Sequence, residues 1–225
     1  MHALIASGTG RYADPWHPFT RTSPLIAEIL SDSGFDVSID DDVDRAMRSL
    51  GASDLLVVNA GDPWRAEQPV AAPPEDSLLG LATALDRGIG VLALHCAVAS
   101  LRDYPEWAAA IGAVWLPGLS HHPPFGRTDV TGAPMPDGTE IPDFTLDDER
   151  YCRLQGIGTR RIVATHSGDG SAEPAAWVRD VGVSRVAVDV LGHDERSYES
   201  AGHRLLIRRL SEWAARGRSD RPPVV

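Results

Sequence analysis

Apolar residues fall along this chain in two alternating rhythms. His2 to Ala6 is a short apolar run that stops at Ser7-Gly8-Thr9-Gly10. A helical rhythm starts at Ser23-Pro24, with Ser placed to cap and Pro at the first helical position. Leu25, Ile26, Ile29 and Leu30 share one face there, and Gly34 closes it. Phe35, Val37 and Ile39 alternate as a second strand, and Val43 to Leu50 reads as a short amphipathic helix. Asp54 to Ala60 is continuously apolar, as expected of a strand covered on both faces in a parallel sheet. After a Pro- and Ala-rich connection, Leu78, Leu79, Ala82 and Leu85 predict a helix ended by Gly88, and Gly90 to Leu94 predicts the next buried strand. This β-α repetition argues for a mainly parallel α/β sheet.

The rhythm loosens between Tyr104 and Gln155, where Pro, Gly and aromatic residues dominate; an irregular edge excursion with short strands is expected there. Strands return at Arg161 to Thr165, Ala175 to Arg179 and Arg185 to Leu191, and a last amphipathic helix is expected from about Tyr198 to Arg216.

Composition narrows the function classes. The 225 residues suit one α/β domain over 1–217, followed by a flexible tail over 218–225. No apolar run approaches the roughly 18 residues of a membrane span, and the N-terminus lacks a secretory pattern, so a cytoplasmic protein is expected. The net charge is −11 and the scattered basic residues are all arginine, which argues against a nucleic-acid partner. Without lysine, Schiff-base and P-loop chemistries are excluded. Two cysteines, Cys96 and Cys152, make neither a disulfide framework nor a structural zinc cluster.

Gly8-Thr9-Gly10-Arg11-Tyr12-Ala13 matches the dinucleotide fingerprint in letters only. That turn works when a helix follows at once, and here Pro15 and Pro18 intervene. The long loop carries Trp16 and His17 instead. His17 either lines a crevice at the strand carboxyl ends or is a solvated loop histidine. The acidic run around Asp40 to Asp44 reads as a solvated turn and helix start.

The strand Val91–Leu94 runs straight into His95-Cys96-Ala97. A sharp strand-to-helix turn needs small residues two positions either side of its apex. Ala93 and Ala97 flank His95, whereas Leu94 and Val98 flank Cys96, so His95 is expected at an exposed apex and Cys96 in the packing beside it. Gly192-His193-Asp194-Glu195 follows another strand, and His193 with Glu195 is a plausible base and orienter. Of His121 and His122 only one can face a site, and Glu149 is either an acid in the crevice or a turn residue. His166 and His203 look less placed, with a surface role expected for His203.

In this order the pieces resemble the ThuA-like (trehalose-utilisation) family of the class I glutamine amidotransferase-like superfamily. The resemblance runs through the glycine turn with His17, His95-Cys96-Ala97, Ile111-Gly112-Ala113, His122-Pro123, Asp148-Glu149-Arg150-Tyr151, Pro174-Ala175-Ala176-Trp177 and Gly192-His193-Asp194. It implies a flavodoxin-like three-layer α/β sandwich with its site at the strand carboxyl edge, and a link to trehalose or related sugars.

Three functions follow as expectations. The first is a protein of carbohydrate metabolism that binds, or binds and transforms, a sugar or oxidised sugar. His95, His193 and Glu149 would be its acid/base groups, or ligands of a divalent metal such as zinc. His17, His122, Trp16 and Trp64 would bind the sugar. The second is a Cys96-His193-Glu195 amidotransferase-like hydrolase. The third is a non-catalytic ligand-binding or assembly subunit, with homo-oligomerisation open.

Overall fold

The computed structural model describes residues 1–61 and 71–216. Trp64 and the expected tail over 218–225 lie outside the described residues. The β-α alternation forms β1 (His2–Ser7), α1 (Phe19–Asp32), β2 (Asp36–Asp40), α2 (Val43–Arg48), β3 (Leu55–Asn59), α3 (Glu75–Asp86) and β4 (Gly90–Leu94). The excursion holds α4 (Trp107–Ile111), β5 (Ala113–Val114), β6 (Gly126–Gly132), β7 (Phe144–Asp148) and β8 (Gln155–Gly156). Then come β9 (Arg161–Ser167), β10 (Ala172–Val181), β11 (Ser184–Asp189) and α5 (Ala201–Ala215).

A nine-stranded sheet runs in the order β2-β1-β3-β4-β11-β10-β9-β6-β7. Strands β2, β1, β3, β4 and β11 pair in parallel, and the remaining pairs are antiparallel. Two strands of this sheet, β6 and β7, are masked in the sequence for a physical reason. The inner parallel strands are buried on both faces, so β3 and β4 read as near-continuous apolar runs, while β2 lies exposed at the edge. Strands β6 and β7 alternate between buried and exposed positions, and their Pro- and Gly-rich connections mask that short period.

Two apolar clusters cover the two faces. Val43 and Met47 of α2, Leu81 of α3 and Trp107 of α4 pack on one side. Ile26 and Leu30 of α1 and Leu206 and Leu210 of α5 pack on the other. The result is the expected mixed α/β arrangement of helices about a large central sheet. Among the described residues no helix is long and apolar enough to cross a membrane.

Helix α1 begins at Phe19, not at the expected Ser23. The Pro18 carbonyl accepts the N–H groups of Arg21 and Thr22 and opens the helix a turn early, which leaves Pro24 inside it. Ser23 is therefore no cap: its hydroxyl is buried against Ser7 and Asn59.

The antiparallel half does not extend flat. Four strand spacings of about 4.8 Å would hold β7 roughly 19 Å from β11. Yet the backbone N–H of Gly192, just past β11, donates to Asp148 at the end of β7 across 2.7 Å. The sheet therefore curls back on itself, and β10 carries a register shift near Ala176 of the kind that bends a strand. Gly202 lets α5 close that curl, because a Cβ there would lie 2.2 Å from the Phe144 Cβ.

Candidate functional site

Strands β4, β7 and β11 all point the same way, and the curl gathers their carboxyl ends. His95 follows β4, Glu149 follows β7, and His193 lies just past β11. His17, from the loop after β1, completes the group: one ligand atom from each of His17, His95, Glu149 and His193 lies within 4.8 Å of the others.

His95 occupies the turn after β4 with φ +42°, the left-handed region that non-glycine residues rarely adopt. Strain at that one residue fits an apex, as the Ala93 and Ala97 flanks implied. The apex is not exposed, however. His95 is only 2% exposed, because the His17 loop and Tyr151 close over it. Its Nδ1 donates to the Val190 carbonyl across 2.8 Å. The proton therefore sits on Nδ1, and the Nε2 lone pair faces the cluster.

His17 repeats this arrangement. Its Nδ1 donates to the Asp14 carboxylate at 2.7 Å, and its Nε2 lies 3.2 Å from His95 Nε2. The Nε2 atoms of the two rings thus face one another. Tyr151 Oη donates to His95 Nε2 across 2.9 Å. Of the two expectations for His17, a crevice-lining residue and a solvated loop histidine, the structure takes the first and puts it inside the cluster at 8% exposure.

Glu149 sits between imidazoles. Its Oε2 is 3.2 Å from His193 Nδ1 and 3.8 Å from His95 Nε2, and its Oε1 is 3.4 Å from His122 Nδ1. The His193 contact is close but poorly aligned, and Nδ1 is left without a hydrogen bond of good geometry. Burial alone would push Glu149 up, but His193, then His122 and His17, hold it below the usual carboxylate range. Burial likewise opposes charge on His193, and the carboxylate beside it raises its pKa instead. Burial, then the neighbouring imidazoles of His17 and His193, drives His95 well down, so it stays neutral.

A buried frame holds these groups. Asp148 is fully buried and accepts N–H groups from Glu149, Gly192 and His193. Burial raises its carboxyl to about 6, against the pull of His203 and those N–H groups. Gly192 is needed at this point, with φ +111° and the Tyr198 hydroxyl 2.7 Å from where a Cβ would sit. Behind it, His203 donates Nδ1–H to the Ser197 carbonyl and bonds Asp189 through Nε2, each across 2.9 Å. The surface role expected for His203 is thus corrected: it is fully buried, because α5 turns that face into the sheet.

A cavity of about 170 Å³ opens beside the cluster, lined by Trp16, His17, Cys96, Ala99, Trp115, His122, Glu149 and Tyr151. His122 lies at its rim, and Trp16 is 55% exposed beside it. Trp115 packs against Tyr151 at 4.7 Å between ring centroids and forms an aromatic wall. Cys96 is buried, as expected, but it also borders the cavity, with Sγ 3.7 Å from Asp14 Oδ2. The expected pairing of His193 with Glu195 is not formed: Glu195 instead meets Arg21 at the surface across 2.5 Å, and Glu149 takes the place beside His193.

Three members of the site carried no role in the sequence reading: Asp14, Trp115 and Tyr151. Asp14 had a signal, since it stands three residues before His17 and accepts the backbone N–H of both Trp16 and His17. Tyr151 lay within a quoted motif, but nothing in its spacing said that it reaches His95.

The donor set has the spacing of a divalent-metal site. Ligand atoms held at 2.0–2.2 Å around one zinc ion stand roughly 3.4 Å apart. The separations of 3.2 Å, 3.8 Å and 3.2 Å along His17–His95–Glu149–His193 lie close to that spacing. Asp14 and the Val190 carbonyl hold two imidazoles by their far nitrogens, the usual support for metal-binding histidines. Three imidazoles and a carboxylate fit zinc and its divalent neighbours.

Comparisons agree with this architecture. A family model described as ThuA, trehalose utilisation, matches residues 2–214. A ThuA-like protein from Parabacteroides merdae superposes with TM-score 0.76 at 21% identity, over 98% of this chain and 91% of that one. One from Bacteroides uniformis gives TM-score 0.71 at 13% identity, over 95% and 90%. A cytoplasmic protein from Salmonella typhimurium LT2 gives TM-score 0.61 at 11% identity, over 99% and 100%. No curated protein matches the sequence.

Proposed function

The chain belongs to the ThuA, trehalose-utilisation, family, and on that premise we propose that it binds a divalent metal through His17, His95, His193 and Glu149 and holds a sugar in the adjoining cavity for acid/base chemistry. The observation that carries this reading is the 3.2 Å approach of His17 Nε2 to His95 Nε2, with the other nitrogen of each ring already donating. Two neutral imidazoles repel in that pose unless a shared proton or a cation lies between them. The inward-facing carboxylate beside His193 favours a cation.

When bound, a metal of this kind polarises a hydroxyl or carbonyl oxygen. The chain's own residues do the rest. Asp14 and the Val190 carbonyl fix the two ring orientations. Glu149 turns its other oxygen, Oε1, to the His122 imidazole at 3.4 Å, and this pair, outside the proposed ligand set, can hold and return a proton at the cavity. Trp115 and Trp16 present aromatic faces on which a sugar ring can stack. A cytoplasmic location belongs to this reading, supported by the description of the Salmonella fold relative.

The Cys96-His193-Glu195 hydrolase reading has less support, because Glu195 is engaged with Arg21. The test is elemental analysis of purified protein, followed by calorimetric titration of the chelated protein with Zn²⁺ and then with trehalose and its oxidised derivatives. Bound zinc, or tight zinc uptake that is required for sugar binding, is the expected outcome. Absence of uptake, with sugar binding unchanged by chelator, would overturn the metal and leave the acid/base cluster alone.

A further inference from the structure

We infer that the Tyr151 phenol selects the ligand: it donates to His95 Nε2 as the chain stands, and passes that donation to an oxygen atom of the ligand when a cation takes the Nε2 lone pair. This deepens the metal-and-sugar reading above and rests on it. His95 Nδ1 is committed to the Val190 carbonyl, so Nε2 has one in-plane lone pair to offer. The phenol uses that lone pair across 2.9 Å. A cation and the phenol proton cannot both hold it.

The phenol has little freedom to respond by moving away. Its ring is 4% exposed and lies between His95, at 4.4 Å between centroids, and Trp115, at 4.7 Å. Only the O–H bond can turn. A buried hydroxyl deprived of its acceptor is costly unless another is supplied. The cavity that Tyr151 lines, beside Glu149 and His122, is where a ligand brings one.

The class of ligand follows from this. The position beside His95 requires an oxygen acceptor, either a hydroxyl or a carbonyl oxygen. A nitrogen ligand that presents only N–H at that point gains nothing from the phenol. Tyr151 is then a specificity-determining residue that favours oxygen-bearing carbons.

The experiment uses the full chain and its Tyr151→Phe variant, which keeps the ring and removes one oxygen. Both are titrated with Co²⁺, read by visible absorption and calorimetry, and the Co²⁺-loaded forms are then titrated with acetohydroxamate and with imidazole. Thermal melting checks that the fold is kept. The variant is expected to take Co²⁺ about fivefold more tightly, because a competing hydrogen bond is gone. It should bind acetohydroxamate at least about tenfold more weakly and imidazole unchanged. Equal acetohydroxamate affinity in the two proteins, or equal weakening for acetohydroxamate and imidazole, would overturn the role of Tyr151 while the metal reading stands. A wild-type chain that takes up no Co²⁺ would overturn the metal reading, and this assignment with it.

Discussion

Asp148 accepts the backbone N–H of His193 across 3.1 Å, joining residues 45 positions apart. That bond, with those from Gly192 and Glu149, sets the end of β7 against the exit of β11 and so brings Glu149 beside His193. Asp148→Ala leaves three buried N–H groups without their acceptor. It is expected to destabilise the fold by about 2–4 kcal/mol in urea denaturation. It should also weaken Co²⁺ binding more than tenfold, since both flanking residues lose their register. Unchanged metal affinity in a folded variant would mean that the frame does not place the site.

His95 and Cys96 separate by role although they are neighbours. His95→Asn keeps a residue that tolerates positive φ, so the fold is expected to survive while metal uptake is lost. Cys96→Ser should cost of order 1 kcal/mol and retain both metal and ligand binding. Loss of function in Cys96→Ser, with rapid alkylation of Cys96 in the wild type, would restore the thiol-hydrolase reading.

Asp14 holds His17 in the tautomer that turns Nε2 inward. Asp14→Ala is expected to lower Zn²⁺ affinity by roughly 10–100-fold without removing a ligand. Competition against a chelating dye would measure it. A variant that binds zinc as tightly as the wild type would show that the His17 orientation is set by packing alone.

His166 on β9 is 2% exposed, and neither ring nitrogen has a well-placed hydrogen-bond partner. Burial pushes its pKa down to about 4, from an unfolded value near 6.5. Between these values the unfolded chain holds a proton that the folded chain refuses. Stability present at pH 7 is therefore lost as pH falls below about 6.5, and the loss is complete below about 4, at roughly 3 kcal/mol. His166→Leu should flatten this part of the stability–pH curve while leaving stability at pH 7 close to that of the wild type. Parallel curves for the two proteins would refute the buried neutral histidine.

The sequence by itself determined the parallel half of the sheet. Strands covered on both faces are nearly all apolar, the edge strand β2 alternates, and the helices between them keep a single buried stripe, so β1 to β4 and β11 were legible from order and period. It also marked His95, Glu149 and His193, because each stands just past a strand and strand carboxyl ends are where such sheets build clefts. Tertiary structure alone decided that these ends meet. The curl of β10, β9, β6 and β7 depends on non-local pairing and on Gly202 admitting α5, and no local period reports either. It also decided which nitrogen each imidazole turns inward, through Asp14 and the Val190 carbonyl, and which carboxylate faces His193, Glu149 rather than Glu195. These choices rest on side-chain directions across tens of residues of sequence, where hydrogen-bond geometry acts and residue spacing carries no signal.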